Sequence, residues 1–336
     1  MEELETAISA DGLVRSFGSN TAVDGVSLSV ARGEVYGFLG PNGAGKTTLT
    51  RVLCTLITPS AGQAQVAGYD VAREPDKVRL RIGVALQDAA LDDRQSGTEM
   101  LALQGRFYGL SAVATRTRVA ELTDLIDIGD ALGQRIGTYS GGMKRRLDLA
   151  LALVHDPEVL FLDEPTTGLD PVSRARVWQE VRRLNVELGM TVFLTTQYLE
   201  EADELAERIG IINKGRLVAE GTPSELKRTI GTDVIIVRLG SAVNDAQTAL
   251  EKLEHVQRID ISGTTLTLSV TDGPGSISPV AVTLASVPNA DVRELTLRQP
   301  SLDDVFLSVT GEHIRRSDNS NIGPGSTVGQ TETRTT

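Results

Sequence analysis

Between residues 22 and 39 the chain first alternates and then runs apolar. Val26, Leu28 and Val30 are separated by Ser27 and Ser29, the period of a half-buried strand, Arg32-Gly33 marks a turn, and residues 35–39 read as a strand buried on both faces. Apolar spacing predicts a helix over residues 48–57, stopped by Thr58-Pro59-Ser60. Further short apolar runs at 82–86, 159–162, 192–194 and 209–212 alternate with helical stretches. That alternation predicts an α/β fold, a mostly parallel sheet with helices on its faces. From about residue 88 to 155 the pattern turns mainly helical, clearest at 100–110 and 117–128, so a helical subdomain inserted into the sheet domain is expected.

Past about residue 228 the texture changes. Residues 234–239 and the positions Leu266, Leu268 and Val270 look like strands, and 246–253 looks like a helix, together a small α/β module over 229–311. Ser301, three residues before Asp304 and just ahead of Val305-Phe306-Leu307, reads as a capping box that opens a last helix. From Ser317 onward the chain is rich in Ser, Thr, Asn and Gly with almost no apolar residues, so the tail, taken as 312–336, is expected to be disordered. The first domain is accordingly placed at 1–228.

Composition narrows the classes. A length of 336 residues suggests about two domains. Charged residues at 23% and aromatics at 4% are ordinary for a soluble globular protein. The net charge of -12 repels nucleic acid and anionic lipid head groups, so no nucleic-acid partner is expected. A single cysteine, Cys54, cannot form an internal disulfide, fits a reducing compartment, and is expected to pack as a small hydrophobe. No run of about 18 apolar residues and no leader peptide is found. If this chain works at a membrane, another chain is expected to carry the spans.

Candidate chemistry starts at Gly40-Pro41-Asn42-Gly43-Ala44-Gly45-Lys46-Thr47, which has every fixed position of a phosphate loop and lies between a predicted strand and a predicted helix. Its glycines let backbone N–H groups face phosphates, Lys46 reaches the β and γ oxygens, and Thr47 supplies a hydroxyl to Mg²⁺. By average residue usage the pattern arises by chance only about once per hundred chains of this length. The run Val159-Leu160-Phe161-Leu162-Asp163-Glu164 is an apolar strand ending in two carboxylates, placed by a parallel sheet at its carboxyl edge. There Asp163 is a candidate Mg²⁺ ligand and Glu164 a candidate base for the attacking water.

Tyr139-Ser140-Gly141-Gly142-Met143 precedes a helical run at 144–154. A serine and two glycines at a helix N-terminus form a candidate anion site for a γ-phosphate, although as a helix cap they are unremarkable. Lys144, Arg145 and Arg146 read as a solvated basic face.

The ordered set of phosphate loop, Gln87, residues 139–143, Asp163-Glu164 and Gly168-Leu169-Asp170 resembles an ABC-transporter ATPase, a P-loop NTPase cassette, over roughly residues 4–228. The stretch Arg298-Gln299-Pro300-Ser301-Leu302-Asp303-Asp304-Val305-Phe306 is similar to the C-terminal module of the daunorubicin/doxorubicin-resistance type of bacterial export ATPase. The resemblance implies that Phe17 stacks on adenine, that Thr48 joins the phosphate loop in holding ATP, and that Gln87 touches Mg²⁺ and faces the membrane partner. It also implies that Asp170 bridges two subunits, and that ATP lies between the phosphate loop of one copy and Ser140, Gly141 and Gly142 of the other.

Two positions depart from the family's usual pattern. Met143 stands where glutamine is usual, and Gln197, in Thr195-Thr196-Gln197-Tyr198, stands where most members have a switch histidine. Glutamine can bond a phosphate but cannot become cationic or carry a proton. The Gln197 form looks like the drug-resistance branch, so Gln197, with Glu164 and Lys46, is a candidate catalytic residue. None of the three histidines, His155, His255 and His313, occupies the switch position.

The resemblance implies an ATP hydrolase with ATP and Mg²⁺, paired with a second cassette and a separate transmembrane permease, peripheral on the cytoplasmic face of a bacterial membrane and energising export of a hydrophobic drug or lipid. Two other classes compete. A soluble mechanical ATPase acting on ribosomes or DNA fits less well, because the cassette is single, uninterrupted and acidic. A regulator that only binds nucleotide fits less well because Lys46, Thr47, Asp163 and Glu164 are all present.

Overall fold

The apolar runs that end at Leu39, Asp163 and Thr196 lie side by side as parallel strands, and the rest of the first domain is built on them. The computed structural model describes residues 5–86, 91–126, 129–231, 233–241, 243–288 and 290–311. The predicted tail lies outside the described residues. The first domain begins β1 (Thr6–Phe17), β2 (Asn20–Ala31), β3 (Val35–Leu39), α1 (Lys46–Leu53), β4 (Ala61–Val66), β5 (Tyr69–Asp70), α2 (Pro75–Arg79) and β6 (Ile82–Ala85). A helical stretch follows with α3 (Gly97–Phe107), α4 (Ala112–Ile126) and α5 (Gly141–Leu153). The chain then returns to β7 (Val159–Asp163), α6 (Pro171–Leu188), β8 (Thr191–Thr196), α7 (Leu199–Leu205), β9 (Arg208–Asn213), β10 (Arg216–Gly221) and α8 (Pro223–Ile230). The last module holds β11 (Asp233–Leu239), α9 (Val243–Leu250), β12 (Val256–Ser262), β13 (Thr265–Val270), α10 (Gly273–Ala285), β14 (Val292–Arg298) and α11 (Leu302–Thr310).

Six strands form the central sheet in the order β10-β9-β3-β8-β7-β6, parallel except for β10 at one edge. A four-stranded antiparallel sheet, β2-β1-β4-β5, covers one side, and a second, β12-β13-β11-β14, makes up the last module. Period-two side-chain alternation splits the central core. Leu160, Leu162, Val192 and Leu194 face α5 and α6, while Phe38, Phe161 and Phe193 face α1 and the antiparallel sheet. Burying each such side chain contributes about 1.5–3 kcal/mol, so strands covered on both faces tolerate no polar face.

Several elements are not legible locally. The helix predicted at 48–57 runs from Lys46 to Leu53, because Gly45 in a left-handed conformation starts it and Thr55, at φ 61°, ends it. In the covering sheet β2 matches the strand read from Val26, Leu28 and Val30, but β1, β4 and β5 escape the sequence pattern; β1 reaches its partners through several register shifts that blur its alternation. Helix α10 escapes it too, because Gly273, Pro274, Gly275 and Pro279 all read as breakers. A cap, the place of its first proline and a buried face explain why it forms. Asp272 caps α10 by accepting from the Gly275 N–H, Pro274 sits in the first turn where its missing donor costs nothing, and Val280 and Leu284 bury against the module's sheet.

The run at 144–146 corrects an expectation. Lys144 reaches an ion pair with Asp93, but the other two are not a solvated face: Arg146 is buried, and the Arg145 side chain is only 11% exposed. Arg145 lies 2.9 Å from Asp148, one turn along α5, and a guanidinium this far from water is held this way because an unpaired charge there would be costly. Burial pushes the Asp148 carboxyl up to about 6 while Arg145 opposes the shift.

Helix α11 carries the capping box expected at Ser301 and Asp304, yet it packs away from the sheet of its own module. Leu302, Val305 and Phe306 join Ala202, Ile209 and Leu226 of the first domain. Phe306→Ala is therefore expected to destabilise the first domain by about 3–5 kcal/mol, read by urea unfolding followed through the fluorescence of the single tryptophan, Trp178. Between roughly pH 4 and 6 the unfolded chain has released the Asp148 proton while the folded chain retains it. The stability from this group is thus full below about pH 4 and lost as pH rises through 6; Asp148→Asn is expected to remove that fall from the pH profile of the thermal midpoint.

Candidate nucleotide site

Strand β3 ends at Leu39 and the chain turns across the carboxyl edge of the sheet before α1 begins. The turn needs its glycines: a Cβ on Gly45 would stand 2.3 Å from the Ala22 carbonyl oxygen, and one on Gly40 would stand 2.6 Å from that of Ile212. Gly45 also has φ 113°, a region closed to most side chains. Lys46, the first residue of α1, folds back so that Nζ donates to the Gly40 carbonyl at 2.8 Å and to that of Pro41 at 3.3 Å. Its third neighbour is Glu164 Oε1 at 3.4 Å. Burial pushes the Lys46 pKa down, and the Glu164 carboxylate opposes that shift.

Parallel register brings the acids to the same place. Leu39 pairs with Thr196 and Thr195 pairs with Asp163, so Gly40, Gln197 and Glu164 leave three neighbouring strands at one edge. Asp163, almost fully buried, accepts from the Thr195 hydroxyl and, at 3.4 Å, from the Thr47 hydroxyl. Glu164 has φ 49°, a left-handed conformation that costs a non-glycine residue about 1–2 kcal/mol. Its N–H donates to the Thr195 carbonyl at 3.0 Å, and Thr167 Oγ1 donates to its carboxylate at 3.2 Å. The strained turn aims the carboxylate at Lys46.

These groups line a cleft of about 530 Å³. Of the residues singled out in the sequence, Phe17, Asn42, Gly43, Gly45, Lys46, Thr47, Thr48, Glu164 and Gln197 lie on it. Gly40, Pro41 and Ala44 form the turn behind, where the Ala44 carbonyl accepts from the Gly215 N–H, and Asp163 lies beneath. Phe17 is half exposed, with the Arg15 guanidinium 4.5 Å from its ring centroid. Asn20, Ala22 and Thr167 also line the cleft, and Thr195 supports it, but sequence reasoning singles out none of them for the site. For Thr195 a signal exists, a hydroxyl at the end of an apolar strand, and Thr167 lies only three residues past Glu164; Asn20 and Ala22 depend on a chain segment distant in sequence.

Ser140, Gly141, Gly142 and Asp170 do not line that cleft. They meet at a second patch. Ser140 caps α5 by accepting from the Met143 N–H, and Asp170 caps α6 by accepting from the N–H groups of Val172 and Ser173 at 3.0 Å each. Gly142 lies so close to Ser173 that a Cβ would be 3.0 Å from its hydroxyl. Hydrogen bonds from Ser173 hold the Asp170 carboxyl below the usual range. Gln87 lies outside the described residues.

Residues 23–167 match the family model described as ABC transporter, and residues 221–310 match that described as ATP-binding protein DrrA1-3-like, C-terminal domain. The chain is 50% identical over 312 residues to the daunorubicin resistance ATP-binding protein DrrA3 of Streptomyces coeruleorubidus, covering 93% of this chain and 98% of that protein. It is 48% identical over 310 residues to the daunorubicin/doxorubicin resistance ATP-binding protein DrrA of Streptomyces peucetius, covering 91% of this chain and 92% of that one. Among solved structures it resembles cbiO1 from Clostridium perfringens, part of the ABC transporter complex cbiONQ. The TM-score there is 0.62 at 27% identity, over 67% of this chain and 93% of that one. A phosphate loop closed on a buried lysine, a carboxylate pair at the same sheet edge, and these likenesses along nearly the whole length agree: the chain belongs to the ATP-binding, ATP-hydrolysing subunits of ABC transporters, in the branch related to drug-resistance export ATPases.

Proposed function

We propose that ATP and Mg²⁺ bind at the cleft beside Lys46 and that hydrolysis there, in a head-to-tail pair of copies, energises export of a hydrophobic drug or lipid through a separate multi-span permease. One observation carries the proposal: Lys46, Thr47 and Glu164 line the cleft with Asp163 directly beneath, while Ser140, Gly141, Gly142 and Asp170 stand on a different patch of the same copy. A second copy turned to present that patch completes the site.

The donors suit magnesium. Thr47 and Asp163 offer a hydroxyl and a carboxylate oxygen 3.4 Å apart, the hard oxygen set of a cation that takes its remaining ligands from phosphates and water. Among the described residues no cluster of three or more His, Cys, Asp or Glu forms a dedicated metal cage. Thr47 and Asp163, with Gln87, would hold the ion, which when bound neutralises charge on the phosphates. Lys46, now shared between two carbonyls and Glu164, turns its charge to the β and γ oxygens, and Glu164 is left to orient water and accept its proton. Gln197 contributes a neutral hydrogen bond to the γ-phosphate, and the exposed side of the Phe17 ring stacks on adenine.

The cargo class rests on the two relatives that are 50% and 48% identical to this chain, both named for resistance to daunorubicin. Among the described residues no helix is long and apolar enough to cross a membrane. The permease supplies the pathway, and this chain works on the cytoplasmic face of a bacterial membrane. The chain divides into a cassette at 1–228 with its helical subdomain at about 88–155, an accessory module at 229–311 and a tail at 312–336.

Glu164→Gln is expected to lower ATP hydrolysis by about 10²- to 10⁴-fold while ATP and Mg²⁺ still drive dimerisation on size exclusion. A Glu164→Gln protein that stays strictly monomeric with ATP would sink the head-to-tail closure. Lys46→Ala should abolish hydrolysis, and equal rates for Lys46→Ala and wild type would leave the chain as a binder only.

A further inference from the structure

The guanidinium of Arg145 sits largely out of water where three chain segments meet beneath the cleft. Nε donates to the Pro165 carbonyl at 2.9 Å, Nη1 to that of Leu86 at 2.7 Å, and Nη2 to that of Asp163 at 3.4 Å. Nη1 also reaches the Asp148 carboxylate at 2.9 Å, so the charge is neutralised within α5 itself. Asp163 and Pro165 flank Glu164, and Leu86 follows β6 and precedes Gln87.

Neutralising this arginine requires only Asp148. The three carbonyls are a further use of the fork, and they come from the ends of two strands and the turn beyond Glu164. A planar guanidinium, with five donors in fixed directions on three nitrogens, can bridge the three carbonyls and Asp148 at once; an ammonium, with three donors on one atom, cannot make all four bonds. Glu164 needs such support, because its left-handed backbone is strained and its own N–H is held from the β8 side alone.

We propose that Arg145 is a positioning residue for ATP hydrolysis: it clamps the backbone on both sides of Glu164 to α5, the helix capped by Ser140, and so fixes the direction of the Glu164 carboxylate. The proposal rests on the assignment of Glu164 as the base. Arg145 touches no nucleotide, so its loss should slow turnover and leave ATP affinity in place.

The test is a double-mutant cycle on the full-length chain, with kcat and KM for ATP measured alongside the thermal midpoint. Arg145→Lys keeps a positive charge beside Asp148 but not the fork, and is expected to lower kcat at least about 10-fold with KM within about 2-fold and the midpoint nearly unchanged. In a Glu164→Gln background the same Arg145→Lys change should alter residual hydrolysis by less than about 2-fold, since the carboxylate it positions is gone. An equal fold loss in both backgrounds, or an Arg145→Lys kcat equal to wild type, overturns the inference. Should Arg145→Lys fail to fold, Arg145→Met combined with Asp148→Leu, which replaces the ion pair with apolar side chains, carries the same comparison. Hydrolysis by Glu164→Gln at the wild-type rate would instead sink the assignment of Glu164, a separate failure.

Discussion

A single ammonium group, that of Lys46, sets the conditions for the site around it. A charge this deeply buried is tolerated only when paired and fully hydrogen-bonded. Its partners, the Gly40 and Pro41 carbonyls and Glu164, follow two strands of the central sheet. The loop must therefore double back over the lysine, which only glycines at 40 and 45 permit, and the acid strand must end level with it. In the proposed site, binding of a polyanion would replace an internal counter-ion with an external one, on a pair already held in place.

Burial of both sheet faces makes that alignment rigid. Phe193, between Tyr36, Phe38 and Phe161 with ring centroids 5.6–5.7 Å away, ties the strand before Gln197 to those before Gly40 and Glu164. On the other face α5 and α6 press on the same strands, and both helices begin at the second patch, at Ser140 and Asp170. One copy thus joins the cleft and the second patch through a close-packed core. A second link runs behind Gln197, where the buried Glu201 on α7 accepts from Thr166 and from Trp178.

The C-terminal module is attached by more than a linker. Helix α11 shares a core with α7, α8 and β9, so the last described helix of the chain braces the helix that follows Gln197. This contact gives the module a mechanical route to the nucleotide edge, distinct from the antiparallel sheet that makes up its own interior.

What the sequence determined by itself is local chemistry: the glycine loop and Lys46, the strand ending in Asp163 and Glu164, the helix caps at Ser140 and Ser301, and the parallel α/β class. The motifs follow from residue types within about ten positions, through backbone freedom, charge or side-chain period, and the fold class from the alternation of such short stretches along the chain. Tertiary structure alone decided which segments meet. Thr195, Asn20 and Ala22 reach the site because chain segments far apart in sequence are neighbours in space, and α10 forms around Pro279 because its buried face outweighs that proline's penalty. Arg145 is the plainest instance: flanked by Lys144 and Arg146 it reads as one more solvated charge, and only the packing of α5 against the ends of β6 and β7 turns it inward.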